Sequence, residues 1–198
     1  MSIASGTALQ ITRLLSDALC PVNTADDHDV WGIYRSPDLL RALPEILGHP
    51  FRGYDIDVVI GGEARGLLLG PLVAGYLGTG FVPARKEHRY QPGDLYVCRS
   101  QPDWEGKRVS FSLQRHALVK GQRVLMVDDW YTTGNQGRAI AELVSLAGSR
   151  LVGTSVIVEE CLPEATLGLG EFSALLHWSE VQREFSGSAF KVEDSPKR

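Results

Sequence analysis

The chain reads as one α/β domain, a doubly wound, mainly parallel sheet flanked by helices. Three observations predict it. Short β-branched runs ("DVVIGG", "RVLMVDD", "LVGTSVIVEE") alternate with longer segments whose apolar residues recur at helical spacing, an order that builds βαβ units. The runs are apolar almost throughout, as strands covered on both faces must be. A length of 198 residues, 43% of them hydrophobic, is enough for one sizeable core.

Taken in chain order, residues 8–18 place Leu9, Ile11, Leu14, Leu15 and Ala18 near a helical period. "SPDLLRALPEIL" then offers Ser36 as an N-cap and Pro37 as the first helical residue, so two helices are expected ahead of the sheet. "YDIDVVIGG" suits a buried strand stopped by glycines, and "ARGLLLGPLVAGYLG", beginning near Ala64, a helix. "GFVPA", "GQRVLMVDD" and "RLVGTSVIVEE" are further strands, and "GNQGRAIAELVSLAG" is a helix closed by Gly148. A polar insertion, residues 86–118, interrupts this order. Within it Val97 and residues 109–113 are set to pair as an antiparallel ribbon around an exposed connection at 102–106, either a flap over a site or a surface hairpin. "SGSAFKVEDSPKR" has the composition of a disordered terminus. The expected layout is a single domain over 1–185, with an N-terminal hood of helices at 1–50, a core at 54–178 and a flexible flap at 87–113, followed by a tail at 186–198.

Several function classes drop out on composition. A net charge of -4 argues against general nucleic-acid or membrane affinity. Cys20, Cys98 and Cys161 are odd in number and outside any C-x-x-C pattern, so neither a disulfide framework nor a zinc site is expected, and a reducing cytoplasm fits. No apolar run approaches the roughly 18 residues of a membrane span, and Arg13 and Asp17 break the N-terminus in a way a signal peptide does not.

The segment with most chemical content is "VLMVDDWYTTGNQ", residues 124–136. If residues 124–127 form a strand, Asp128 and Asp129 emerge at its carboxyl end, where doubly wound sheets bind ligands. Adjacent acids in extended backbone diverge, so they suit a diol or a magnesium-bound ligand better than a shared proton. Thr132, Thr133 and Gly134 lead into a helix, and amides, dipole and hydroxyls together make a phosphate cradle. A ribose 5-phosphate has both features. Simple helix capping by Asp and Thr is the competing reading. A response-regulator receiver lacks its third aspartate here, and no P-loop pattern occurs.

Residues 124–136 resemble the phosphoribosyl pyrophosphate (PRPP) motif of type I phosphoribosyltransferases: an apolar strand, two acids, two more residues, then a Thr/Gly-rich turn. "VVIGGEARGLLLGPLVAGYLGTGFVPARK", "EGKRVSFSLQRHALVKGQRVLMVDD" and "FSALLHW" follow in the order of the adenine-specific group of that family, with "WGIYRSPDLL" a weaker echo. The resemblance spans residues 31–178. It implies a fold with a flap and a hood, and transfer of ribose 5-phosphate from PRPP to a purine-like base with release of pyrophosphate. A non-catalytic PRPP-binding regulator of the same fold is the alternative.

Residue by residue, the resemblance puts Asp128 and Asp129 on the ribose hydroxyls and Thr132, Thr133, Gly134, Asn135 and Gln136 on the 5-phosphate. Ala64 and Arg65 fall in the pyrophosphate loop, with Arg85, Lys86 and Arg89 as further cations. Asp128, Asp129, Arg65 and Glu105 form the catalytic set, and Ile33, Tyr34 and Arg35 lie where the base binds. Mg2+ is implied as the cofactor, carried mainly by PRPP with Asp128 and Asp129 as ligands, and a homodimer as the assembly. Asn135 and Gln136 depart from the family's second glycine and Thr or Ser. In "DWEGK" Trp104 precedes Glu105, the reverse of the family order.

Overall fold

A computed structural model describes residues 5–21, 28–86, 93–102, 106–161 and 163–180. Arg89, Glu105 and the tail at 186–198 lie outside the described residues. Helix α1 (Ser5–Ala18) is followed by a small antiparallel ribbon, β1 (Cys20–Pro21) with β2 (His28–Asp29), then α2 (Trp31–Arg35), α3 (Pro37–Gly48) and a 3-10 turn (His49–Phe51). Next come β3 (Val58–Gly62), α4 (Gly66–Leu77), β4 (Gly80–Lys86), β5 (Leu95–Arg99), β6 (Ser110–Gln114), β7 (Arg123–Tyr131), α5 (Asn135–Leu146), β8 (Arg150–Glu159), a 3-10 turn (Pro163–Thr166) and β9 (Glu171–His177). Seven strands make one sheet in the order β5-β6-β4-β3-β7-β8-β9. Strands β4, β3, β7, β8 and β9 run parallel to one another, and β6 and β5 continue the sheet from β4 as an antiparallel edge.

Period-2 alternation splits the apolar residues between two cores. Val59, Leu125, Val127 and Ile157 face the hood with α1 to α4, whereas Val58, Ile60, Val124, Met126 and Val156 face α5 in a core shared with Phe111 and Leu113 of β6. On the hood side α3 starts as its sequence dictates: Ser36 Oγ accepts from the Leu39 amide and Pro37 opens the helix. Leu39, Leu43 and Leu47 then form its fully buried stripe. Ser155 of β8 donates to the Leu47 carbonyl at 2.9 Å inside the core, which fixes the end of α3 over the sheet.

The structure corrects three expectations. A third helix, α2, precedes the sheet; Val30 at its N-cap makes no side-chain capping bond, so nothing local announces it, and burial of Ile33 holds it instead. The surface-hairpin reading of the ribbon fails, because β6 pairs with β4 at Arg85↔Ser112 and Lys86↔Phe111 and fully buries Phe111 and Leu113. Strand β7 does not stop at Val127 but continues to Tyr131, since its partner β8 is long enough to keep pairing at Asp128↔Val156, Trp130↔Val158 and Tyr131↔Glu159.

Candidate active site

The overrun of β7 creates the site. Its pairing with β3 ends at Gly61↔Val127, so Asp128 and Asp129 project past β3 while β8 still supports them from the other side. A cavity opens there, lined by Ala64, Arg65, Lys86, Asp128, Asp129 and the segment 132–136, among others. The acids therefore sit within the last stretch of the strand rather than after it, and they leave the sheet toward different partners.

Asp128 lies on the α5 side, where a Cβ added to Gly62 would be 3.8 Å from Asp128 Oδ2 and 2.9 Å from Ile140 Cδ1. Asp129, 3% exposed, accepts from Arg65 Nε through Oδ2 and from the Trp130 amide through Oδ1 at 2.8 Å. The Asp129 amide in turn donates to Asp128 Oδ1 at 3.0 Å. Burial pushes the Asp128 carboxyl up to about 8, with the Asp129 charge as second cause. The two carboxylates thus diverge across the strand, as adjacent residues of a strand do, but remain electrostatically linked.

Arg65 stands at the start of α4, which begins two residues later than Ala64, at Gly66. Gly61 permits this approach: a Cβ there would lie 2.2 Å from the Gly66 carbonyl oxygen, so only a bare strand lets the helix start rest on β3. The peptide between Glu63 and Ala64 is cis. Arg65 keeps 39% of its side chain exposed and gives Asp129 only its Nε–H, which leaves the guanidinium fork for an anion. Arg85 and Lys86 end β4 beside the same turn. Glu63, a member of the same loop to which no partner is assigned from sequence, accepts from Arg85 Nε at 3.1 Å and from the Lys86 amide at 3.0 Å. The pairing follows from the parallel register, in which Gly62↔Ala84 sets Glu63 opposite Arg85.

Across the cavity, residues 132–134 turn sharply into α5. Gly134 holds φ +74°, and a Cβ on it would meet the Ala165 carbonyl at 2.5 Å, Tyr131 Oη at 2.7 Å and Arg138 Nη1 at 2.9 Å. Gly134→Ala is therefore expected to displace the turn, with a loss of roughly 1–3 kcal/mol in stability and a larger loss of affinity for any phosphate held there. Thermal melting and phosphate-ester binding on the same sample check this. Asn135 and Gln136 occupy the first positions of α5, so they stand where amide N–H groups are unsatisfied within the helix.

The expected base residues do not line this cavity. Ile33 is fully buried in the hood core, Arg35 is exposed, and Tyr34 is half-buried. The Tyr34 hydroxyl is held protonated by burial and by the charges of Asp129 and Asp128, which places it within their field. Its ring lies 5.6 Å from that of Trp31, which is 53% exposed. Among the described residues no group of three or more His, Cys, Asp or Glu could hold a metal ion, and no helix is long and apolar enough to cross a membrane. Asp128 and Asp129 as a donor set fit a magnesium ion that arrives with its own oxygen ligands, not one caged by protein alone.

The geometry has counterparts among known proteins. The phosphoribosyl transferase domain matches residues 32–161. An adenine phosphoribosyltransferase from Methylococcus capsulatus is 40% identical over 134 residues, 67% of this chain and 75% of that protein. Adenine phosphoribosyltransferase from Rhodothermus marinus superimposes with a TM-score of 0.75 at 27% identity, covering 85% of this chain and 99% of that one. The Saccharomyces cerevisiae enzyme, solved in complex with D-2,5-dideoxy-2,5-imino-altritol 1,6-bisphosphate and adenine, gives 0.74 at 28% identity over 85% of this chain and 99% of its own.

Proposed function

The chain belongs to the phosphoribosyl transferase family, and from that premise we propose that it transfers the 5-phosphoribosyl group of PRPP to adenine, giving AMP and pyrophosphate. The observation that carries this is the projecting carboxylate pair of β7, set between an arginine-bearing helix start and an amide-rich turn. It is an enzyme, a pentosyltransferase, and the non-catalytic alternative is not favoured.

In this reading the C1–oxygen bond to pyrophosphate breaks as a ring nitrogen of the base attacks C1 from the opposite face, and the proton of that nitrogen leaves to solvent. Asp128 and Asp129 hold the ribose hydroxyls, the amides of residues 132–136 hold the 5-phosphate, and Ala64, Arg65, Arg85 and Lys86 surround the departing pyrophosphate. Alignment of two held substrates contributes about 7–11 kcal/mol. Cations aimed at the leaving group each contribute about 3–4 kcal/mol. Asp128 and Asp129 would hold Mg2+ together with oxygens of PRPP, and the ion would supply charge neutralisation at the leaving group.

Tyr34 and Arg35 supply the base-side contacts, with Ile33 anchoring them from the core. Leu68 and Leu72, one turn apart on α4 and 44% and 40% exposed, offer an apolar patch to a second copy in a cytoplasmic homodimer. Light scattering should then give about twice 21.7 kDa. For the activity, adenine, hypoxanthine, guanine, xanthine and orotate are each supplied with PRPP and Mg2+ while pyrophosphate is followed. Adenine is expected to release it fastest; release with another base alone would move the substrate assignment, and release with none would remove the enzyme reading.

A further inference from the structure

The 5-phosphate turn is braced from behind by a side chain that does not line the cavity. Arg138, one turn into α5, donates through Nη2 to the Thr133 carbonyl at 2.9 Å and to Asn135 Oδ1 at 2.9 Å, and through Nη1 to the Ala165 carbonyl at 3.1 Å. Tyr131 Oη donates to the same Ala165 carbonyl at 3.0 Å. Asn135, with its oxygen taken by Arg138, turns its Nδ2 to the Pro102 carbonyl at 3.0 Å. One guanidinium thus joins the turn, the first residue of α5 and the 163–166 turn, and Gly134 fits against it only because it has no side chain.

A turn that binds an anion through N–H groups must keep its carbonyl oxygens away from that anion, because their lone pairs repel it. A planar fork that satisfies a carbonyl on the outer side does this, and a point-charge ammonium cannot span the same three acceptors. We propose that Arg138 and Asn135 are positioning residues for 5-phosphate binding: the Arg138 fork draws the Thr133 carbonyl outward and Asn135 locks the turn to the β5–β6 connection. The side chain at Asn135 thereby takes over by bracing what the family's usual glycine leaves to the backbone alone. This inference rests on the proposed site and adds to it a dependence on Arg138, which lies outside the cavity, and on the side chain of Asn135 at its edge.

The test separates the two halves of the substrate. Ribose 5-phosphate and magnesium pyrophosphate are each titrated calorimetrically into the wild type, Arg138→Lys, Arg138→Met and Asn135→Gly, with thermal melting alongside. Expected are a loss of about tenfold in ribose 5-phosphate affinity for Arg138→Lys, more for Arg138→Met and several-fold for Asn135→Gly, with pyrophosphate affinity unchanged. If Arg138→Met does not fold, the other two variants carry the comparison. Wild-type affinity in Arg138→Lys with loss only in Arg138→Met would mean that charge alone acts and would overturn the bracing. Equal loss for both ligands, or no loss in any variant, would also overturn it. No ribose 5-phosphate binding by the wild type would remove the site assignment itself, an outcome distinct from the others.

Discussion

Asp128→Asn combined with Asp129→Asn is expected to weaken PRPP binding by at least about a hundredfold, because each carboxylate in a charge-assisted bond contributes about 1.5–3 kcal/mol. Folding should change far less. Asparagine keeps the shape and an accepting oxygen for the Trp130 amide, and Arg65, being 39% exposed, can turn to water. The pH dependence of stability gives an independent check. The folded-state value for Asp128 is raised to about 8, so between the unfolded value near 4 and about 8 the folded protein holds a proton that the unfolded chain has lost. Stability from this group is therefore full below about pH 4 and declines as pH rises toward about 8. Across that window the melting temperature of the ligand-free wild type should fall relative to that of Asp128→Asn. If the double variant instead unfolds while its folded fraction binds PRPP normally, the acids are structural.

The second large effect is expected at Arg65. Arg65→Met should lower kcat/KM for PRPP by roughly 10²–10³-fold, the usual result of removing one donor aimed at developing negative charge. It also leaves Asp129 buried without its partner. Because the pair is open on the Arg65 side, the stability loss should be about 1–3 kcal/mol, below that of a fully enclosed ion pair. Arg65→Lys keeps the charge but loses the Nε–H that Asp129 accepts, so it should recover little activity. Steady-state kinetics with PRPP varied, set beside chemical denaturation, distinguish the two losses. Unchanged kinetics with lowered stability would leave Arg65 as a structural partner of Asp129 only.

Much of this was legible in the chain. Ser36 and Pro37 announced α3 because capping is a local matter, and β-branched runs marked the strands because they are buried on both faces. That the "DD" pair and the following turn line a cavity was readable because doubly wound sheets open beyond the carboxyl ends of their strands. What escaped depends on neighbours distant in sequence. The continuation of β7 to Tyr131 is set by β8, and α2 is held by burial of Ile33 rather than by a cap. Arg138 reads as an ordinary helix-surface arginine until folding brings the Ala165 carbonyl to it from 27 residues away. The Glu63–Arg85 pair likewise needed the β3–β4 register. The base side was least readable, since the two faces of so short a helix as α2 cannot be told apart from three residues, and Ile33 proved to face inward.

A crystal structure of the protein with Mg2+ and PRPP tests the central claim most directly. The ribose hydroxyls are predicted on Asp128 and Asp129, the 5-phosphate inside the turn of residues 132–136, and the pyrophosphate beside Arg65. PRPP bound elsewhere, or a turn whose amides face away from its phosphate, would contradict the account.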